Sequence, residues 1–375
     1  MTPPTDDETP GHERARLREA TLMILAVFFA TRLVLLLVAA IVEFSLPLSN
    51  VTTTWDTRPI LASFTGSDAV YYLGIAQDGY HLVPAKDNYQ DWVFFPLFPA
   101  VVRGASILLL GDLTIAGLLV ANLAFVGAMF GLYVLGLPHL GHTRSIRAVV
   151  LLAIAPGAVA FALPYSESLF LLFAIGACLA AERRRWGAMA LLYCLASLAR
   201  FPGVALAIPL VLLMAQSIGW RPSVSYLWLI VGPAATAGFL LFLAWFTGDA
   251  LAYFHAQEAW RIPTMLDGPT SGSGSAASPL PLLLLATLVG YVFLFVFARV
   301  DRLPTAYVSI AVISVLTVFA SGRLQSVARY LGVAWPFSWT LASRRSGWSI
   351  LAWPIASSGL FTIHAFLHFT QALAP

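Results

Sequence analysis

The sequence predicts an all-α, polytopic integral membrane protein, and three observations carry that prediction. Apolar runs of about 20 residues, each able to cross a hydrocarbon core of roughly 30 Å, recur from Thr21 onward. Of 375 residues, 59% are hydrophobic and only 10% are charged, where soluble domains carry roughly 25% charged residues. No polar stretch between the runs is long enough for a separate soluble domain.

In chain order, residues 1–19 are polar and read as a cytosolic tail ahead of a transmembrane domain at 20–375. About 11 spans are expected, at 20–48, 113–136, 148–163, 166–182, 186–199, 202–217, 225–247, 279–298, 304–320, 328–343 and 349–371. Loops 49–112 and 248–278 separate them, and Thr270 to Pro281 is a Gly/Ser-rich linker. Cys178 and Cys194 both fall inside apolar runs, which argues against a disulfide framework or a metal knuckle and for small core residues. The net charge of +3 is dispersed and excludes a nucleic-acid surface.

The positive-inside rule orients the spans. With the tail inside, 13 Arg lie in inner segments and 7 basic residues in outer ones, Arg32 staying within the first span. This register keeps the Arg183–Arg185 triplet inside. It requires Phe94–Leu110 to begin and end outside, as an interfacial or re-entrant helix in the first external loop. Loop 49–112 then faces outside together with "PYSES", "ARFPG", "TGDALAYFHAQEAWRIP" and "SGRLQSVARY", so the unusual polar residues gather on one face.

An ionisable residue beside a long apolar run is costly and points to function. Glu167, in "PYSESLFLLF", stands at a bend between two spans; a carboxylate at a helix start with Ser166 near the cap is the alternative. Asp68 begins a helix whose apolar face is Ala69, Leu73 and Ala76 and whose polar face is Gln77 and Asp78. Such an amphipathic helix lies on a membrane surface, where an Asp also serves as a cap. Asp56, in "TTTWDTR", is the rival acid.

Arg200 precedes Phe201, Pro202 and Gly203, a helix break suited to a phosphate or to a snorkelling Arg. Arg323, Arg329 and Tyr330 stand at an external helix start and suit phosphate binding or interfacial anchoring. His255, Gln257 and Glu258 beside Trp260 and Arg261 form a polar-aromatic cluster suited to a sugar or headgroup. Tyr71, Tyr72 and Tyr80 read first as interface-belt residues. No His or Asp pair has metal-ligand spacing.

Taken in order, "SDAVYYLGIAQDGY", "FFPLFPAVVR", "PYSESLFLLF", "LARFPGVAL", "GDALAYFHAQEAW" and "VARYLGVAWPF" resemble the PIG-V family of mannosyltransferases, of the glycosyltransferase C (GT-C) superfamily. The resemblance covers about residues 20 to 340. It implies sugar transfer on the non-cytosolic face from a polyprenyl-phosphate-linked sugar, usually mannose. The family's first-loop acid falls on Asp68, although its preceding Trp is here Ser67; the nearby Trp55-Asp56 keeps Asp56 as the alternative catalytic acid. The family's Tyr-Ser-Glu-Ser-Leu-Phe motif matches Tyr165 to Phe170 without change and makes Glu167 the second acid. An Arg-Ser-Asn-Gly-like motif is met loosely by Arg200 and Gly203. The short, Arg-rich chain looks like a bacterial relative, in a cell membrane.

A polyprenyl-phosphate sugar is already activated, so an enzyme needs orientation, a base and positive charge for the leaving phosphate. The expected base is Asp68, with Arg200, Arg323 and Arg329 for phosphate and Glu167 for acceptor or sugar hydroxyls. Single displacement inverts the anomeric centre. The sequence assigns no cofactor; a divalent cation, were one used, would meet Glu167. The acceptor is open between a lipid-linked, a glycan and a protein hydroxyl. The competing function is a lipid-sugar flippase or transporter, whose polar residues belong near the midplane of two related halves. Polyprenyl-linked arabinose or glucose is the competing donor.

Overall fold

The computed structural model describes residues 10–45, 54–82, 90–259, 303–321, 327–343 and 349–370, with Thr287, Val289, Gly290 and Val292 between them. The described residues form helices and turns, with one isolated bridge between Thr54 and Gly66. Arg323 and most of the 279–298 run lie outside the described residues, as does the Thr270 to Pro281 linker.

Four described helical stretches are long and apolar enough to cross a membrane: Gly11–Ser45, Leu113–Leu140, Phe201–Ile218 and Val224–Thr247. The chain is an integral membrane protein on that account. Shorter apolar helices, among them Trp186–Ala199 and Thr305–Phe319, pack beside them. Cys178 is buried and Cys194 half-buried, and both are free thiols.

Two expected spans are interrupted. The 148–163 run forms a helix only to Ala153, and residues Pro156–Phe161 form a 3-10 turn. Pro156 lacks the N–H that would continue the ladder, and it drives Ala155 to an extended ψ of 148°. The 328–343 run splits into Val327–Gly332 and Pro336–Ala342, with Pro336 opening the second helix, a position where its missing donor costs nothing. Both breaks fall beside the polar residues described below.

The segment after the first helix carries its own structure. Asp68–Asp78 and Leu97–Ile107 are helices of 11 residues each. At 1.5 Å per residue, the second is about 16 Å long, too short for a hydrocarbon core. Their apolar faces pack on the bundle: Ala69, Leu73 and Ala76 are buried in the protein core rather than turned to a membrane surface, while Gln77 and Asp78 are exposed. Asp112 then caps Leu113–Leu140 by accepting the Ile115 N–H at 2.9 Å.

Glu167–Glu182 and Trp186–Ala199 form a hairpin joined by Arg183, Arg184 and Arg185. The two helices have 16 and 14 residues, so the chain returns close to the level at which it left. Glu167 and Arg200 therefore meet at one end, with the three arginines at the other.

Candidate active site

Four charged side chains converge where the hairpin opens. Arg200 Nη1 pairs with Glu167 Oε1, Arg329 Nη1 pairs with Asp68 Oδ2, and Arg329 Nε lies 3.2 Å from Glu167 Oε1. Glu167 is 1% exposed and Asp68 7%. Burial of this kind is tolerated because each charge has an opposite partner; an unpaired charge here would cost several kcal/mol, of order 3–5.

Each residue is placed by its local structure. Asp68 is the first residue of its helix, following Ser67, whose φ of 57° is in a region most residues avoid. Such a conformation costs about 1–3 kcal/mol and persists where surrounding packing enforces it. Glu167 follows Ser166, whose hydroxyl is turned away from capping and shares a hydrogen bond with Tyr72 Oη at 2.7 Å. Arg200 stands in extended conformation between Trp186–Ala199 and the 3-10 turn Phe201–Leu206, so the helix break aims it at Glu167.

Arg329 comes from a distant part of the chain and is set by a backbone crossing. A Cβ on Gly157 would lie 1.9 Å from the Ala328 carbonyl oxygen, and one on Gly332 would lie 3.3 Å from Gly157. Only glycine permits that approach. Tyr330 then lies under both cations, 5.4 Å from Arg200 Cζ and 5.8 Å from Arg329 Cζ, and Tyr165 lies 5.4 Å from Arg329 Cζ. These cation–π contacts hold the two guanidinium groups in place while their N–H donors reach carboxylate oxygens.

Of the residues expected to act, Asp68, Glu167, Arg200, Arg329 and Tyr330 are brought together. Asp56 is placed elsewhere. It is bonded to Arg58, with Nε at 3.0 Å, and Arg58 reaches Asp112 at 2.7 Å. The hydrogen bonds from Arg58 hold the Asp56 carboxyl well below the usual carboxylate range against the opposing effect of burial, and they lower Asp112 as well. This bridge ties the first loop to the start of Leu113–Leu140.

His255 and Gln257 lie on Ala252–Ala259, where His255 Nδ1 pairs with Asp249 at 2.6 Å and Gln257 donates to Tyr253 Oη at 3.0 Å. That helix reaches the Arg200 turn through Tyr253, stacked on Phe201 at 5.1 Å. The tyrosines expected at the interface are packing residues instead. Tyr72 is buried against Ser166, Tyr71 stacks on Phe94 at 5.1 Å, and Tyr80 donates to the Phe94 carbonyl at 2.7 Å. They fasten the Asp68 helix to the segment that precedes Leu97.

Sequence reasoning missed two contributors. Arg32, from the first helix, donates to Asn122 Oδ1 at 2.7 Å and to the Phe161 carbonyl at 2.9 Å, and Ser168 donates to the same carbonyl at 3.1 Å. An Arg inside an apolar span was the available signal. His368, near the end of Ser349–Phe369, meets the Tyr165 ring at 6.2 Å. No local motif marks it.

A narrow cleft opens beside Arg200 and Tyr330, walled mainly by apolar side chains that include Phe170, Leu206, Ile310 and Val333. Glu167 Oε2 is buried with no hydrogen-bond partner. Among the described residues no group of three or more His, Cys, Asp or Glu is placed to hold a metal ion. A charged cluster bordering an apolar cleft is suited to an amphipathic ligand with an anionic head.

A family model described as Mannosyltransferase (PIG-V) matches residues 18–218. No curated protein matches the chain. Among solved structures, ArnT from Cupriavidus metallidurans, bound to undecaprenyl phosphate, is 15% identical, with a TM-score of 0.53 over 93% of this chain and 76% of that one. The apo oligosaccharyltransferase of Archaeoglobus fulgidus is 13% identical with a TM-score of 0.46. That alignment covers 94% of this chain, which spans only 56% of the archaeal enzyme. The arabinofuranosyltransferase AftD from Mycobacteria is 16% identical with a TM-score of 0.40, over 96% of this chain and 27% of that one.

Proposed function

Because the chain belongs to the PIG-V mannosyltransferase family, we propose that it transfers mannose from polyprenyl-phosphate mannose to an acceptor hydroxyl, with inversion. One observation carries the reading: Asp68, Glu167, Arg200 and Arg329 form a single buried ionic cluster at the edge of an apolar cleft. The cluster has the charges that such a reaction uses, and the cleft offers an apolar place for the first isoprene units. The undecaprenyl phosphate in the ArnT structure is a lipid phosphate of the kind proposed.

In the proposed step the acceptor oxygen attacks the anomeric carbon as the bond from that carbon to the phosphate oxygen breaks. The bonding pair leaves with the phosphate. Asp68 takes the acceptor's proton, and Arg200 and Arg329 stabilise the charge that grows on the departing phosphate. Glu167 Oε2 has lone pairs free of any other hydrogen bond and orients a hydroxyl of the acceptor or the sugar. Asp56 is set aside as base in this scheme because it lies outside the cluster, bonded to Arg58 and through it to Asp112.

The site is assigned to the external face, with the N-terminus cytosolic and about 11 spans in all, on the arginine distribution of the sequence. A lipid-linked, glycan or protein acceptor then approaches from outside. Vesicles containing the protein and supplied with polyprenyl-phosphate mannose, glucose or arabinose test the reading. Label transferred from the mannose donor alone is expected. Transfer from another donor alone would overturn the sugar, and movement of lipid-sugar across the bilayer without transfer would overturn the enzyme.

A further inference from the structure

The roles proposed for Asp68 and Arg329 compete in the resting fold, because the two groups are bonded to each other. A carboxylate engaged through one oxygen with a guanidinium is a poorer proton acceptor than a free one, and the same guanidinium has fewer donors left for phosphate. The cluster as a whole holds two carboxylates and two guanidinium groups, so it is neutral before any ligand arrives.

The geometry gives Arg329 a means of changing partner without leaving the site. Arg329 lies over the Tyr165 and Tyr330 rings, with Cζ 5.4 and 5.8 Å from their centroids, while its ion pairs are made through Nη1 and Nε. Ring contacts of this type persist when the oxygen partner is exchanged. Glu167 keeps Arg200 as its partner whatever Arg329 does; the Asp68–Arg329 contact is the one whose exchange frees a carboxylate, at the cost of leaving the buried Asp68 without that partner until the acceptor hydroxyl arrives.

We propose that donor phosphate displaces Asp68 from Arg329, so that seating the donor is what frees the base. The inference rests on the lipid-phosphate donor reading above. It makes the reaction ordered, with the donor bound before the acceptor hydroxyl loses its proton. It also protects the activated sugar, since the base is engaged until the phosphate has closed on Arg329.

The test is a double-mutant cycle on binding of undecaprenyl phosphate, which carries no sugar, to the purified full chain in detergent. If phosphate and Asp68 compete for Arg329, Asp68→Asn tightens the lipid's Kd by about tenfold, the size of one charge-assisted hydrogen bond. In an Arg329→Gln background the same Asp68→Asn change has little effect. Equal tightening in both backgrounds would reveal only repulsion between two anions, and unchanged or weaker binding in the single variant would mean no competition; either overturns the exchange. Failure of the unmodified protein to bind the lipid overturns the donor reading itself, and the exchange with it. Thermal melting establishes that each variant is folded. Should Arg329→Gln fail to fold, Arg329→Lys replaces it, with a smaller Asp68→Asn tightening than in the unmodified protein as the expected result and equal tightening as the contrary one.

Discussion

Glu167 and Arg200 open and close one helical hairpin and form an ion pair with each other at its end. Helix length alone returns the cation to the level of the carboxylate, and the break at Arg200 turns it inward. Arg200→Gln removes one main partner of a carboxylate that is 1% exposed, with an expected loss of about 3–5 kcal/mol. Adding Glu167→Gln to that variant removes the stranded charge and should restore much of the stability. Melting of the detergent-solubilised proteins checks both steps; equal melting for the single and double variants would deny the pairing.

Arg329→Ala is expected both to lower stability, since it takes from the buried Asp68 its ion-pair partner, and to weaken donor binding by the protein that still folds. A donor KM raised about tenfold or more is the expected signature of a lost charge-assisted contact to phosphate. An unchanged donor KM would return Arg329 to anchoring alone.

Gly157→Ala tests the backbone crossing that presents Arg329. The added methyl would need to displace the Ala328 carbonyl, which lies 1.9 Å from its ideal position, and such overpacking typically costs about 1–3 kcal/mol. Lower melting and reduced transfer are expected together. Gly187→Ala, which meets open space, is the control and should melt as the unmodified protein does.

The Asp56–Arg58 bridge gives a pH dependence of fixed sign. The Asp56 carboxyl is lowered in the fold, chiefly by hydrogen bonds from Arg58, relative to about 3.9 in an unfolded chain. Its contribution is therefore present above about pH 4 and is lost as pH falls through the folded value. Asp56→Asn should flatten the acid side of a melting-temperature profile while transfer at neutral pH stays above about a tenth of the unmodified rate. Loss of transfer comparable to that of Asp68→Asn would instead make Asp56 the base.

The membrane class, the Asp68 helix face and the Glu167–Arg200 end of the hairpin were legible in the sequence, because hydrophobic length and helical period are local signals. The partners of each charge were not. Nothing near Asp68 indicates Arg329, which lies 261 residues further along the chain and is presented by the close approach of Gly157 to Ala328. The spans broken at Pro156 and Gly332 read as continuous because their composition stays apolar across the break. Tyr72 has the composition of an interface residue, and only the placement of Ser166 makes it an internal strut.

The most direct measurement is transfer of radiolabelled mannose from polyprenyl-phosphate mannose to membrane acceptors, in vesicles holding equal amounts of the folded unmodified protein or Asp68→Asn. Label is expected with the unmodified protein and is expected to fall at least about a hundredfold in the variant, with the variant still in the membrane and still binding the lipid phosphate. Near-normal transfer by Asp68→Asn would contradict the assignment of the base and, with it, the proposed chemistry of the cluster.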